Sequence, residues 1–449
     1  MGGTTLKTIR FAGTGTGGIF GQAFVPSTPW PVVNVTQFSR ALDYENAALR
    51  QDQAITRAEP NGGGAVPLMG TGEQRTVAML QGGWAWNMVG PAPSASPVAL
   101  DGRIHDLWTS PHGVLKAAMK NKAVAATRSV DGKSYTTLSF TEPGRFEATA
   151  YINADNLVER VDTRQPSTVM GDTASVFTYS GYKDWGGVKF PSRIQQQMGG
   201  SSVLDVNVSE VQAGVPAGVA APDTVRQFAE RVVVEKAADG VWFLAGGSHN
   251  SVLIEMKDYS VLVEAPLYDG RSTAVIAEAR RLVPGKPLRY VVNSHHHFDH
   301  AGGLRTAAAE GLTLITSDVA RPWYQQALAN ANRINPDALA KSGRSVSVEG
   351  INGKRVLTDG SRSVEISEIA GSVHAQGFLM VYLPKEKLLI EADAYTPGAP
   401  NAPTPASING NNLVMMQNID QNKLAVDRIL PLHGRMVAIA ELLNAVGRK

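Results

Sequence analysis

Apolar and polar residues alternate in short runs from Leu6 to about Glu210, and the runs are broken by Gly, Pro and Asn. Such a period-two pattern with frequent turn residues predicts antiparallel strands. Examples are LKTIRFAGTG, VVNVTQFSRALDY, RTVAMLQGGWAWNMV, RFEATAYIN and SVLDVNVSEV. One stretch, Leu107 to Lys122, breaks the rhythm and predicts a helix with Leu115, Ala118 and Met119 on one face. Gly13 to Gly18 is read as a flexible hairpin connection, because no Gly-Lys-Ser/Thr and no helix follow to make it a phosphate loop. Trp84 and Trp86 alternate on a strand, which predicts a core position for at least one. His105 and His112 border the helical stretch and are expected to be structural.

The pattern then changes. Residues 213–226 begin AGVPAGVAAPDT, small and without periodicity, and read as a linker. This divides the chain into an antiparallel β domain (1–212), the linker (213–226) and a second domain (227–449). The second domain opens with four apolar runs, VVVEK, VWFLAG, SVLIEM and YSVLVEAP, with Asp258-Tyr259 as a turn. Ser272 to Leu282 predicts a helix with Val275, Ile276, Ala279 and Leu282 on one face, ended by Pro284. Trp323 to Gly343 predicts a further helix, and the Pro/Asn-rich run 396–412 a loop. Both segments are expected to rim a pocket, since loops on a rigid scaffold carry specificity.

The chemistry concentrates at LRYVVNSHHHFDHAGGL, where four histidines and an aspartate follow an apolar run within six residues. Imidazole and carboxylate are the ligands zinc uses when its site stays open to water. His295 and His297 can reach one ion from the same side of an extended turn, with His296 pointing away. Asp299 and His300 follow toward a neighbouring position about 3.5–4 Å away, the usual two-metal separation. Gly302-Gly303 then permits a tight fold into a helix.

This His295-x-His297-x-Asp299-His300 motif resembles the signature of the metallo-β-lactamase-fold hydrolases. The resemblance covers roughly 228–449 and implies an αββα sandwich, hence an α+β chain overall. It implies three later ligands: His374 completing the first metal site, Asp393 bridging the two ions, and His433 completing the second. Each stands where an apolar run meets polar or small residues. The implied activity is that of a dinuclear zinc hydrolase in which water activated between the ions attacks the substrate. Iron or manganese are alternative occupants of such donors. Asp299 is expected both to bind the second ion and to shuttle the proton, while His249 in GGSHNSVLIE is placed near the mouth to orient substrate.

The fold admits many scissile bonds and does not select among them. A small carboxylic ester or lactone is the leading expectation, with phosphoester hydrolysis, β-lactamase side activity and an envelope ligand-binding protein as alternatives. A bridging Asp393 and a large preceding domain weigh against a dedicated β-lactamase.

Composition narrows the rest. With 449 residues, 43% hydrophobic and 18% charged, the chain is globular and long enough for two cores. A net charge of +2 gives no electrostatic case for nucleic acid, so a small-molecule substrate is expected. No run of eighteen apolar residues occurs, so no transmembrane segment is expected. The absence of cysteine excludes disulfides, thiolate ligands and a cysteine-borne lipid anchor. Tyr151-Ile152-Asn153, Gly181 to Trp185 and Gly187 to Pro191 resemble the curved-sheet domain of bacterial lipoprotein carriers, which implies an envelope location. The beginning MGGTTLKTIRFAG shows no signal peptide, and Met1-Gly2-Gly3 is compatible with a cloning start, which leaves room for a removed leader. A periplasmic or secreted location is therefore expected ahead of a cytoplasmic one.

Overall fold

The computed structural model of the chain describes residues 5–59, 64, 70 and 72–448. Met1-Gly2-Gly3 lies outside these residues.

Thirteen antiparallel strands form one sheet in the first half. Its first strand, Thr8–Gly18, pairs with its last in sequence, Ser201–Ala213, so the two ends of this half meet in the middle of the sheet. Alternation does what the sequence pattern requires: Ile9 and Phe11 are buried beneath the helices Leu100–Thr109 and Gly113–Lys120, where they join Leu107, Val114, Phe38, Phe146 and Phe177.

Three expectations are corrected here. The Gly13–Gly18 run is strand, not connection. A Cβ on Gly13 or Gly15 would stand 2.1 or 1.9 Å from the carbonyl oxygens of Asn207 and Asp205, so glycine is what permits the close approach to the neighbouring strand. The helix expected over 107–122 is two helices, because Pro111 holds Ser110 extended (ψ 159°) and cannot continue the ladder. The buried face of the second is Val114, Ala117 and Ala118, while Met119 is exposed. Of the two tryptophans, Trp86 is core and Trp84 exposed. Both first-half histidines are buried, His105 against Thr163 and His112 stacked on Phe190.

The second half is a sandwich of a seven-stranded and a six-stranded sheet. Strand residues alternate between two cores. Val252, Ile254, Val261, Val263 and Val292 face the second sheet, whereas Leu253, Leu262 and Val291 face the helix Asp269–Leu282 and its neighbours. That helix begins three residues before the expected start, with Asp269 in its first turn. Leu282 is only partly buried. The helix expected over Trp323–Gly343 is also two, Arg321–Ala329 and Ala338–Ser342, with the second capped by Asp337. Pro336 stands in the break.

Parallel strands place the chemistry. Ser260–Val263, Leu288–Val292 and Thr313–Ser317 run parallel in the first sheet, as do Leu388–Glu391 and Arg428–Pro431 in the second. Their carboxyl ends point to one rim of the sandwich, the general location of sites in sheets of this kind.

Two segments of the first half reach this rim. The turn after Val158–Ser167 sinks Val169 fully into the helical core of the sandwich, and Asp172 binds the backbone of Ala331 and Arg333. The connection between Thr8–Gly18 and Val32–Asp43 crosses the rim itself.

Candidate metal centre

Seven sidechains expected at the centre converge, with His249, into two adjoining groups. The first holds His295, His297, His374 and Asp393; the second holds His249, Asp299, His300 and His433. Within each group the candidate ligand atoms lie within 4.8 Å of one another.

Strand ends deliver them. His295 to His300 follow Leu288–Val292 and turn into the short helix Phe298–Ala301. Asp393 and His433 each stand two residues beyond a strand of the parallel pair. His374 comes from the turn before Leu379–Leu383. His249 precedes Ser251–Glu255 and forms an isolated antiparallel bridge with His433, tying the two sheets together at the site.

Asp393 touches both groups. Its Oδ2 lies 2.8 Å from His374 Nε2, and its Oδ1 lies 2.8 Å from His433 Nε2. Within the first group His295 Nε2 and His374 Nε2 are 3.1 Å apart; within the second, His300 Nε2 and His433 Nε2 are also 3.1 Å apart. Nitrogens converging in this way are placed to share a cation when their lone pairs turn inward.

The tautomers are set from outside. Glu264 accepts from His300 Nδ1 at 3.2 Å, which leaves Nε2 facing the group. His297 Nε2 donates to the Ala23 carbonyl at 3.0 Å, and its buried Nδ1 has no hydrogen-bond partner. An imidazole nitrogen buried without a partner is costly unless it binds a cation. Outer hydrogen bonds of this kind orient metal-ligating histidines and raise their basicity. The donor set therefore fits divalent ions, with one nitrogen of each histidine free and carboxylates to balance charge.

Without metal, burial and the neighbouring charges act on these groups in different directions. Burial, then the neighbouring His300 and His374, holds His295 well below the ordinary imidazole range. Burial opposes ionisation of Asp393, yet His300 and His374 hold it well below the usual carboxylate range. Burial also works against His300, but Asp393 and Asp299 pull it well above its ordinary value.

The second group is the open one. The side chains of Asp299 and His433 are 32% and 22% exposed, against 4% or less for His295, His374 and Asp393. Asp299 lines a cavity of about 530 Å³ between the first-half sheet and the sandwich. Asn332, Asn335 and Asp337, from the break between the two late helices, rim it as expected; residues of 396–412 do not line it.

His296 stays outside both groups and donates to the Ala23 carbonyl at 2.8 Å. His249 donates from Nε2 to Asp299 Oδ2 at 3.1 Å, and burial lowers its pKa to about 4 against the pull of Asp299. Sequence reasoning passed over Glu264, which accepts from both His300 and the Ser294 amide. An acid ending the apolar run YSVLVEAP was its signal. Gln22, whose Nε2 donates to Asp299 Oδ1 at 2.7 Å from a segment far upstream, had none.

Two sheets form a sandwich, and histidines and aspartates gathered on one rim form a candidate centre for divalent metal. Residues 244–398 match the family profile of the metallo-beta-lactamase superfamily. Among solved structures, a metallo-beta-lactamase from Pontibacter korlensis is similar at 16% identity, covering 48% of this chain and 98% of its own, with a TM-score of 0.37. The DIM-1 metallo-beta-lactamase is similar at 16% identity, covering 48% of this chain and 95% of its own, with a TM-score of 0.37. No curated protein sequence matches the chain significantly.

Proposed function

We propose that the protein is a dinuclear zinc hydrolase acting on a small, uncharged acyl substrate, a carboxylic ester or lactone. The observation that carries this reading is the position of Asp393, one oxygen in each histidine group, beside a cavity that opens at Asp299. His295, His297 and His374 would hold one ion, Asp299, His300 and His433 the other, with Asp393 shared. Imidazole with carboxylate favours zinc, and iron or manganese suit the same donors. When bound, such ions supply Lewis acidity and bring the pKa of water toward about 7.

The protein's own groups supply the rest. Asp299 stands at the cavity wall, where its carboxylate takes the proton of the attacking water. His249 Nε2 holds that carboxylate in orientation. Phe20, Phe298, Leu267 and Met198 give the cavity an apolar wall that excludes water from the acyl chain.

Charge discriminates between acyl and phosphoryl substrates. Asp101, Asp269 and Asp337 line the cavity, and no lysine or arginine is among its described lining residues. Arg145 and Arg305 pair with Asp101 and Asp337 rather than with the cavity interior. With Asp101 and Asp337 neutralised by these arginines, a phosphoester would still meet Asp269 and Asp299, with no lysine or arginine among the described lining residues to receive its charge outside the metal centre.

The test is metal analysis of untagged protein together with hydrolysis of a neutral ester, a lactone, a phosphodiester and a β-lactam. Two zinc ions per chain and turnover of the neutral acyl substrates, lost to a chelator and restored by zinc, are expected. Preference for the phosphodiester would overturn the substrate class. Less than one metal per chain, with no turnover after reconstitution, would overturn the enzyme reading.

A further inference from the structure

The connection Ile19 to Pro31 of the first-half sheet lies across the rim of the sandwich, and four consecutive residues of it are spent on the metal centre. The Gly21 carbonyl accepts from the Phe298 amide at 3.1 Å. Gln22 Nε2 donates to Asp299 Oδ1 at 2.7 Å. The Ala23 carbonyl accepts from both His296 and His297, and the Phe24 carbonyl accepts from the Gln376 amide at 2.8 Å, two residues from His374. Around them, Phe20, Trp30 and Phe298 pack edge to face with centroids 5.1 to 5.9 Å apart. Gly21 has φ +76°, and a Cβ there would stand 2.4 Å from the Phe298 ring, so the segment fits only as glycine at that point.

We propose that Gly21 to Phe24 is a working part of the metal centre, with Gln22 the positioning residue for Asp299 and the Ala23 carbonyl the group that fixes the His297 ring. The inference rests on the reading that the two histidine groups hold metal. Asp299 has two oxygens; Gln22 takes Oδ1 and His249 takes Oδ2, so the carboxylate plane is fixed from opposite sides. Without the amide donor, Oδ1 is free to rotate toward the cavity and the second ion loses an oriented ligand. The ring of His297 depends differently, because Ala23 holds the proton on Nε2 and so leaves Nδ1 for the first ion. A first-half sheet that only delivered substrate would have no reason to hydrogen-bond ligand side chains, donating to Asp299 and accepting from His297.

The experiment compares full-length wild type with Gln22→Met, which keeps volume and removes the donor, and Gln22→Glu, which turns the donor into an acceptor. Zinc affinity is read by competition with a chromophoric chelator, and ligand geometry by the visible spectrum of the cobalt-substituted protein. In Gln22→Met the weaker of two binding steps falls about 10- to 100-fold, the usual cost of losing an outer partner of a ligand. Gln22→Glu falls further, the tighter step is unmoved, the cobalt bands shift, and the Tm of the metal-free protein is unchanged. Unmoved affinity and spectrum in both variants overturn the proposal. So does a joint fall of both steps with a lowered metal-free Tm, which marks Gln22 as merely structural. A wild type that takes up no zinc sinks the metal reading and this inference with it, whereas wild-type uptake beside unmoved variants sinks this inference alone.

Discussion

His249 and His433 belong to different sheets, yet they form a backbone bridge and bring their rings to 4.0 Å between centroids. The seam is held by the next residue: buried Asn250 donates its side-chain amide to the carbonyls of Pro431 and Gly434 at 3.2 and 2.8 Å. Asn250→Ala leaves both carbonyls without that donor, which costs about 1–3 kcal/mol. We expect a lowered midpoint in urea together with weaker binding at the metal position that includes His433. Unchanged unfolding would show that the seam is held elsewhere.

Asp393 is expected to be the most damaging single loss. Asp393→Ala removes the oxygen facing each histidine group and leaves histidines crowded in a buried space. Metal analysis should find fewer than one ion per chain, and turnover of a neutral ester should fall by several orders of magnitude. Retention of two ions would remove Asp393 from its bridging role.

Glu264 acts one step out. It is fully buried and accepts from His300 Nδ1 and from the Ser294 amide at 2.5 Å. Glu264→Gln keeps the shape but can present an amide donor where an acceptor is needed. Zinc affinity should fall about 10- to 100-fold, as for other outer partners of ligating histidines. An equilibrium competition measurement that finds less than a twofold change would contradict this.

His105 gives the first half a pH dependence of its own. Burial lowers its pKa from 6.5 to about 4, with Asp106 opposing, so the folded state releases a proton that the unfolded state still binds between those values. Stability is therefore full above about pH 6.5 and declines as pH falls toward 4, by about 3 kcal/mol at the lower limit. In His105→Gln the decline over that window should be shallower in urea titrations. Parallel curves for the two proteins would show that other groups govern it.

The centre was the most legible part of the chain, because ligand chemistry demands particular residue types at short spacing. His295, His297, Asp299 and His300 occupy one turn, so local sequence contains most of their geometry. His374, Asp393 and His433 were found by the strand ends they follow. Helix lengths failed where a proline stood inside an otherwise helical pattern, at Pro111 and at Pro336. The glycines at 13 and 15 were misread because their reason lies in a strand almost two hundred residues away. Gln22 was beyond reach for the same reason: a polar residue in a connection has no local mark when its partner is 277 positions downstream.

That separation has a temporal meaning. Synthesis proceeds from the N-terminus, and domains fold as they emerge, at roughly 5–20 residues per second. The large sheet, with the Gly21 to Phe24 segment joining two of its central strands, ends at Ala213, long before His433 appears. For some tens of residues of growth, Gln22 and the Ala23 carbonyl await ligands that have not yet been made. The turn from His295 to His300 thus emerges onto a partner surface that already stands folded, while the last ligand, His433, follows more than a hundred residues later.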